Sequence, residues 1–292
     1  MNKKSVMFTS FCFWIAIFGL FGCENDRNTD VICKNNPELC VDLHRDSWCL
    51  YEKASLIRHR YALKQTEVHT GKQLYQQLIM LENYSKCIEL AAGVQHIIHT
   101  ERTLDRKRAF AVSTQNLAQL QEFTKDNQDI YLAFYRWMRF GEQAAFMLVN
   151  NAFKQGEIQE VEILQQLAVH YLKIDANISK DIYRQMFAAI TSEDLIHSDD
   201  NEISMDLTHE FNPDWLLGLA NVHQQQQNFA KVYLLTKVNL AITQKNASDE
   251  QLLALINSDK KLAIKFDAEA KAIAQAIING HITKRQLDAL FG

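Results

Sequence analysis

Proline and glycine are scarce in this chain, two and nine among 292 residues. Proline fixes φ and removes a backbone donor, and glycine supplies the left-handed conformations of tight turns. A chain poor in both lacks the turn signals that an all-β sandwich needs about every ten residues. Ala, Leu, Gln, Lys, Glu and Ile are abundant instead, and most of them lose little freedom in a helix. The expected fold class is therefore all-α. An excess of positive charge is also missing: 31 Lys and Arg stand against 35 Asp and Glu, a net charge of −4. That is not the electrostatic footprint of a nucleic-acid binder. The sequence has no Gly-x-Ser-x-Gly elbow, no phosphate-cradling glycine loop, no dinucleotide fingerprint and no His-Glu-x-x-His pair. No cofactor and no catalytic residue are expected from it.

Beyond residue 22 no apolar run is long enough for a spanning helix of about 20 residues. The one long uncharged stretch, Ser5 to Gly22, follows Lys3 and Lys4 and has the layout of a secretory signal peptide. It ends in Leu20-Phe21-Gly22-Cys23, and Glu24-Asn25-Asp26-Arg27 follows at once. That ending resembles the bacterial lipobox, although Phe21 is bulkier than its position usually carries. The resemblance implies removal of residues 1–22, lipid on the Cys23 thiol, and firm anchoring, since each buried CH₂ contributes about 0.8 kcal/mol. Removing Lys3 and Lys4 takes the net charge from −4 to −6. By resemblance to the sorting rule of Gram-negative bacteria, Glu24 rather than Asp after the cysteine implies the outer membrane, with the body in the periplasm.

Of the six cysteines, Cys12 leaves with the signal and Cys23 takes lipid. Cys33, Cys40, Cys49 and Cys87 remain, an even set suited to two disulfides in an oxidising compartment. Apolar spacing predicts a helix over 47–66 and another over 72–99, joined by a short turn around Val68. Helices so joined pack antiparallel. Cys49 and Cys87 lie equally far from Val68 and should face each other, which leaves Cys33 with Cys40. The spacings do not suit the paired ligands of a zinc site.

The remaining pattern predicts helices near 113–124, 129–154, 158–172, 178–190, 213–224, 228–243 and 258–279. The second helix of the hairpin is expected to run on through 101–108. Asn36-Pro37 reads as a helix start. Ser248 with Gln251 and Thr283 with Gln286 read as capping boxes. Residues 191–212 read as a long polar loop. The expected organisation is a signal peptide at 1–22, a lipidated tether at 23–34, a disulfide-stapled hairpin region at 35–125 and a degenerate helical-repeat region at 126–292, the last two forming one body.

Leu167-Ala168-Val169-His170-Tyr171 and Leu219-Ala220-Asn221-Val222-His223 each precede a second helix. Leu-Ala with an aromatic or His three residues later resembles the tetratricopeptide and Sel1-like repeats, where a Leu-Gly pair lets two helices pack closely. Ala168 and Ala220 replace that glycine, His223 replaces the tyrosine, and Lys180 stands where a small residue is expected. The occurrences lie about 52 residues apart, not about 34. The resemblance implies a tetratricopeptide-like α-solenoid.

The four cysteines, Arg58-His59-Arg60-Tyr61, Tyr84-Ser85-Lys86-Cys87, Glu101-Arg102 with Arg106, and Trp137-Met138-Arg139 are similar to an uncharacterised family of gammaproteobacterial lipoproteins with tetratricopeptide-like helices. That resemblance implies no particular activity. Tyr135, Arg136, Trp137 and Arg139 interleave the residue types that dominate binding hot spots, and Arg102 and Arg106 lie in a charged run. All six are candidate binding residues, although helical spacing also fits core packing for Tyr135 and a solvated face for the run. His96 and His99, three apart on the expected helix, could share a metal, but packed or surface histidines fit better. Glu193, Asp194, Asp199, Asp200 and Glu202 lack the alternation of a calcium loop. The favoured expectation is a lipid-anchored scaffold or assembly factor, with the membrane and a cell-envelope protein as partners. An envelope hydrolase acting on peptidoglycan or sugars through carboxylates, and a passive structural lipoprotein, are the alternatives.

Overall fold

The structure, a computed structural model, describes residues 28–197, 203–207 and 211–292. The chain divides into two compact units, the first ending at Val149 and the second beginning at Asn150.

In the first unit, α1 (Thr29–Asn35) and a 3-10 turn (Pro37–Leu39) lead into residues 40–49, which form neither helix nor strand. Then come α2 (Leu50–Lys64), α3 (Gly71–Ala92), α4 (Thr100–Thr124) and α5 (Ile130–Phe140). α2 and α3 pack as an antiparallel hairpin. Thr70 and Gln73 close a capping box at the start of α3, so the turn delivers the chain straight into the return helix. The core between them holds Ile32, Leu56, Ile57, Leu81, Tyr84, Ile88 and Ala91. Both disulfides have the pairing expected from the spacing. Cys33–Cys40 has its Cα atoms 5.7 Å apart, and Cys49–Cys87 5.9 Å apart.

Several boundaries differ from the sequence reading. α3 stops at Ala92, and a separate helix, α4, covers both the charged run and the segment expected at 113–124. Gly93 and the loss of 3.6-residue spacing through His96-Ile97-Ile98-His99 explain the stop. The expected helix 129–154 is two, α5 and α6 (Gln143–Lys154), because Gly141 takes a left-handed φ of 67° and ends α5. Asn36 makes no side-chain cap to the turn after it. The boundary expected at 125/126 is displaced into α6, because side chains of α5 are bound to α3, as described below.

The second unit carries α7 (Val161–Leu172), α8 (Ala176–Ile190), α9 (Asp214–Gln225), α10 (Phe229–Thr243), α11 (Asp249–Ala254), α12 (Lys260–Ile278) and α13 (Lys284–Phe291). α7 packs on α8, α8 on α9, and α9 on α10, a tetratricopeptide-like succession of helix pairs. Ala168 is fully buried, and the small residue facing it is Ser179, not Lys180; the Ser179 hydroxyl donates to the Ala168 carbonyl at 2.8 Å. Close approach recurs at Gly218, where an added Cβ would fall 1.9 Å from the Tyr183 hydroxyl. His223, in the aromatic position of the repeat, is buried and donates from Nε2 to the Leu290 carbonyl at 3.2 Å. Lys231 donates to the Ala289 carbonyl. Together they satisfy orphan carbonyls at the end of α13, whose Phe291 packs edge-on against Phe187.

Residues 191–212 are not simply a loop. β1 (Thr191–His197) pairs antiparallel with β2 (Ile203–Leu207), and β2 pairs with β3 (His281–Thr283), giving the order β1-β2-β3. The fold remains dominated by helices, and this small sheet is the correction. Its signal was the alternation Ile203-Ser204-Met205-Asp206-Leu207, the period of a half-buried strand. Asn279-Gly280, with Gly280 at φ 81°, turns the chain into β3. The Thr283–Gln286 capping box is present, whereas at α11 Ser248 only accepts from the Gln251 amide.

Cross-linking mainly restricts the unfolded chain, by about 4 kcal/mol for the Cys49–Cys87 loop and about 2.5 kcal/mol for the Cys33–Cys40 loop in the chain-entropy model. Cys49 also sits at a left-handed φ of 49°, a conformation that costs a non-glycine residue about 1 kcal/mol. Urea unfolding of the Cys49→Ser/Cys87→Ser protein is expected to show the larger loss and that of Cys33→Ser/Cys40→Ser the smaller. Equal midpoints for the two variants would contradict the ordering.

Candidate functional site

Residues 40–49 lack a helix or strand ladder, so their carbonyls need other donors. Cationic side chains supply them. Arg60 donates to the Leu39 carbonyl and binds the Asp42 carboxylate through both terminal nitrogens, each bond 2.8 Å. Arg108 reaches the Val41, Asp42 and Leu43 carbonyls. Lys53 donates to His44 at 3.3 Å and to Asp46 at 2.9 Å. Burial lowers the Lys53 pKa, against the pull of Asp46 and Asp30.

Arg106 is the centre of this arrangement. Only 1% of it is exposed. Its Nε donates to Asp46 at 2.7 Å, Nη1 donates to the Ala91 carbonyl at 3.4 Å, and the guanidinium lies 4.9 Å from the Trp48 ring centre. Burial pushes the Asp46 carboxyl up, but hydrogen bonds from Arg106 and the Trp48 amide, with the Arg106 charge, hold it below its ordinary value. Beside it His44 Nε2–H donates to the Trp48 carbonyl at 2.6 Å, which leaves Nδ1 to accept from the Tyr84 hydroxyl at 2.9 Å. Burial, then Lys53, lowers the His44 pKa, and burial raises Tyr84 to about 12.

The α5 candidates are likewise turned inward. Tyr135 is buried and donates to Glu82 at 2.6 Å. Arg139, partly exposed, closes on the same carboxylate, with Nε at 2.9 and 3.0 Å and Nη2 at 2.9 Å. Burial and then the Glu82 bond raise the Tyr135 pKa. Arg136 is buried and donates to the Thr124 carbonyl and to Glu142 at 3.1 Å each. Trp137 packs between Phe134 and Phe146. Of the six candidates, Arg102 and Arg139 are exposed, Trp137 is half-buried, and Tyr135, Arg136 and Arg106 are buried and hold the unit together.

His96 and His99 lie in the irregular segment after α3, not on a helix face, so their expected helical juxtaposition does not form. The group Cys49, Glu52 and Cys87 lies within 4.8 Å, but both sulfurs are in a disulfide and cannot ligate as thiolates. Cys23, Asp199, Asp200 and Glu202 lie outside the described residues. In the second unit a cleft of about 410 Å³ between α10, α11 and α12 holds Asp249 and Asp267. Lys237 stands between these acids, 3.5 Å from one and 3.3 Å from the other.

A feature the sequence reading missed is apolar. Ile97 and Ile98 are 94% and 87% exposed, and Tyr51, Leu90 and Leu104 are exposed as well. The adjacent isoleucines between histidines broke the helical spacing, and that was the available signal.

Residues 20–237 match the family described as protein of unknown function, DUF2989. The chain belongs to this family. The match begins at Leu20 and so takes in Cys23, all four disulfide cysteines and the Arg106 network; the end of α10 and everything after it lie beyond the matched residues. No curated protein and no solved structure matches the chain.

Removing one partner of a buried ion pair costs about 3–5 kcal/mol. Arg106→Ala is expected to lose about 3 kcal/mol, at the low end because the Asp46 side chain keeps 15% exposure. Arg106→Lys should lose less; an Ala variant as stable as the parent in urea would contradict the central role of the pair.

His44 and His223 are both buried, with pKa values lowered first by burial. Their contribution is full above the unfolded value of about 6.5 and is lost as pH falls from there through the lower folded value. Urea midpoints are therefore expected to drop between pH 7 and 5, and less steeply in His44→Gln. A steeper drop in that variant would contradict the assignment.

Proposed function

We propose that the chain is a lipid-anchored protein of the cell envelope, held at the outer membrane through Cys23, whose helical body faces the periplasm and binds a protein or peptide partner as a scaffold or assembly factor. One observation carries this reading most. Two disulfides close the first unit, and its helix α1 is capped by Asn28, five residues after a cysteine in a lipobox-like setting. Disulfides persist in oxidising compartments such as the periplasm, and the preceding uncharged run is the signal that leads there. Among the described residues no helix is long and apolar enough to cross a membrane; in this reading the lipid on Cys23 makes the attachment. Successive helix pairs in the second unit supply side-by-side helix faces of the sort that repeat proteins offer to partners.

The test compares the wild-type chain with Cys23→Ala in intact cells, by membrane fractionation, intact mass and crosslinked pull-down of tagged protein. Wild type is expected in the outer-membrane fraction, with the mass of a lipid on residue 23 and one discrete envelope protein enriched. Cys23→Ala should leave the membrane and lose that partner. Equal solubility of the two forms sinks the anchor, and no enriched protein at normal abundance sinks the scaffold.

A further inference from the structure

Several exposed apolar residues of the first unit lie at one end of it, and α1 starts at that same end. α1 runs opposite to α2: Lys64, at the far end of α2, binds Asn36 at 2.7 Å and Glu38 at 2.6 Å, whereas Asp30 acts on the charge of Lys53, in the first turn of α2. Asn28 therefore lies toward the Cys49–Leu50 end. The Cys49–Cys87 disulfide brings the last turn of α3 to that end. The Arg106 bond to Ala91, and the Thr103 hydroxyl between the Val94 carbonyl and the His96 amide, fix the segment that follows. Trp48, Leu50, Tyr51, Leu90, Ile97 and Ile98 are all solvent-exposed there. Residues 93–99 form no helix or strand, so Ile97 and Ile98 project from a short irregular connection rather than from a helix face.

We propose that this end of the first unit lies against the lipid bilayer, with Ile97 and Ile98 inserted among the acyl chains and Trp48 and Tyr51 at the headgroup level. The inference rests on the lipid-anchor reading of Cys23 and goes beyond it by orienting the body. Chain length supplies the argument. Five peptide steps from Cys23 to Asn28 span at most about 18 Å, so a lipid on Cys23 keeps the bilayer within that reach of the start of α1, which lies toward the apolar end. Exposed apolar clusters mark interaction surfaces, aromatic rings favour the membrane interface, and a lipid chain together with a second attachment holds far better than either alone. A lipid surface is the partner that the five-residue tether presents to this end.

The experiment places a polarity-sensitive fluorophore on Ile98→Cys in the full-length lipidated chain. Val68→Cys is the control, equally apolar and exposed but in the turn at the other end of the hairpin. One label per chain and the lipid on residue 23 are checked by intact mass. In vesicles of phosphatidylethanolamine and phosphatidylglycerol, acyl-chain spin labels should quench position 98 at least about twofold and leave position 68 unchanged. Equal, weak quenching at both positions with the lipid mass present overturns the orientation and leaves the anchor standing. Absence of the lipid mass overturns the anchor and, with it, the tether argument. A blue-shifted emission at position 98 of the Cys23→Ala form in lipid-free buffer means that a second copy, or retained residues 5–22, covers this end, which also overturns the proposal.

Discussion

The buried pair Arg106–Asp46 is the contact on which the first unit depends. Residues 40–49 cross α2, α3 and α4 without a ladder of their own, and a segment of this sort is stable only if its polar groups find partners. Arg106 binds the side chain of that segment at one point and the last turn of α3 at another, while its flat face rests on Trp48. One guanidinium thus ties three parts of the chain with three different chemistries. Lysine would supply the charge but neither the fork nor the stacking plane.

Around this centre the cations act mainly as donors to backbone. Arg60, Arg108 and Lys53 together serve carbonyls from Leu39 to Asp46. Such a frame makes the first unit rigid and leaves little of its charge for a ligand. The same holds at Glu82, where Arg139 and Tyr135 converge. What the interior has not used is apolar area at the α3–α4 connection, where the donors Thr103 and Arg106 fix the backbone and, among the described residues, no side chains cover Ile97 and Ile98.

Helical content, the hairpin and both disulfides were legible because they follow from local rules: spacing of apolar residues, and equal distance from a turn. The role of α4 was not. Its buried residues are Thr103, Arg106, Ala109, Ser113 and Thr124, four of them polar, so a search for an apolar stripe reads it as solvated. At Arg106 the buried face meets the irregular segment 40–49, and further along Ser113 donates to the Ser85 hydroxyl of α3. The same blindness applied to α5, where Tyr135, Arg136 and Arg139 have the composition of a binding surface yet meet buried acids and carbonyls whose positions only the fold reveals. The strands were missed because β2 is short and pairs with a segment, β3, that lies far along the chain.

The first disulfide matters most through what it does to the tether. α1 has only seven residues, too short to persist as a free helix in water. It stays folded because Ile32 enters the core, Asn28 caps its start, and Cys33–Cys40 ties it to the turn that follows. If α1 detached, the length of chain between Cys23 and the body would grow past residue 35, and the body could turn any face to the membrane. Docked, α1 limits that length to the five peptide steps from Cys23 to Asn28, its cap. A short linker raises the effective concentration of one particular surface at the anchoring site. The small local disulfide, which adds the less to stability of the two, therefore has the larger effect on orientation in the lipid-anchored reading, because it fixes where the tether ends.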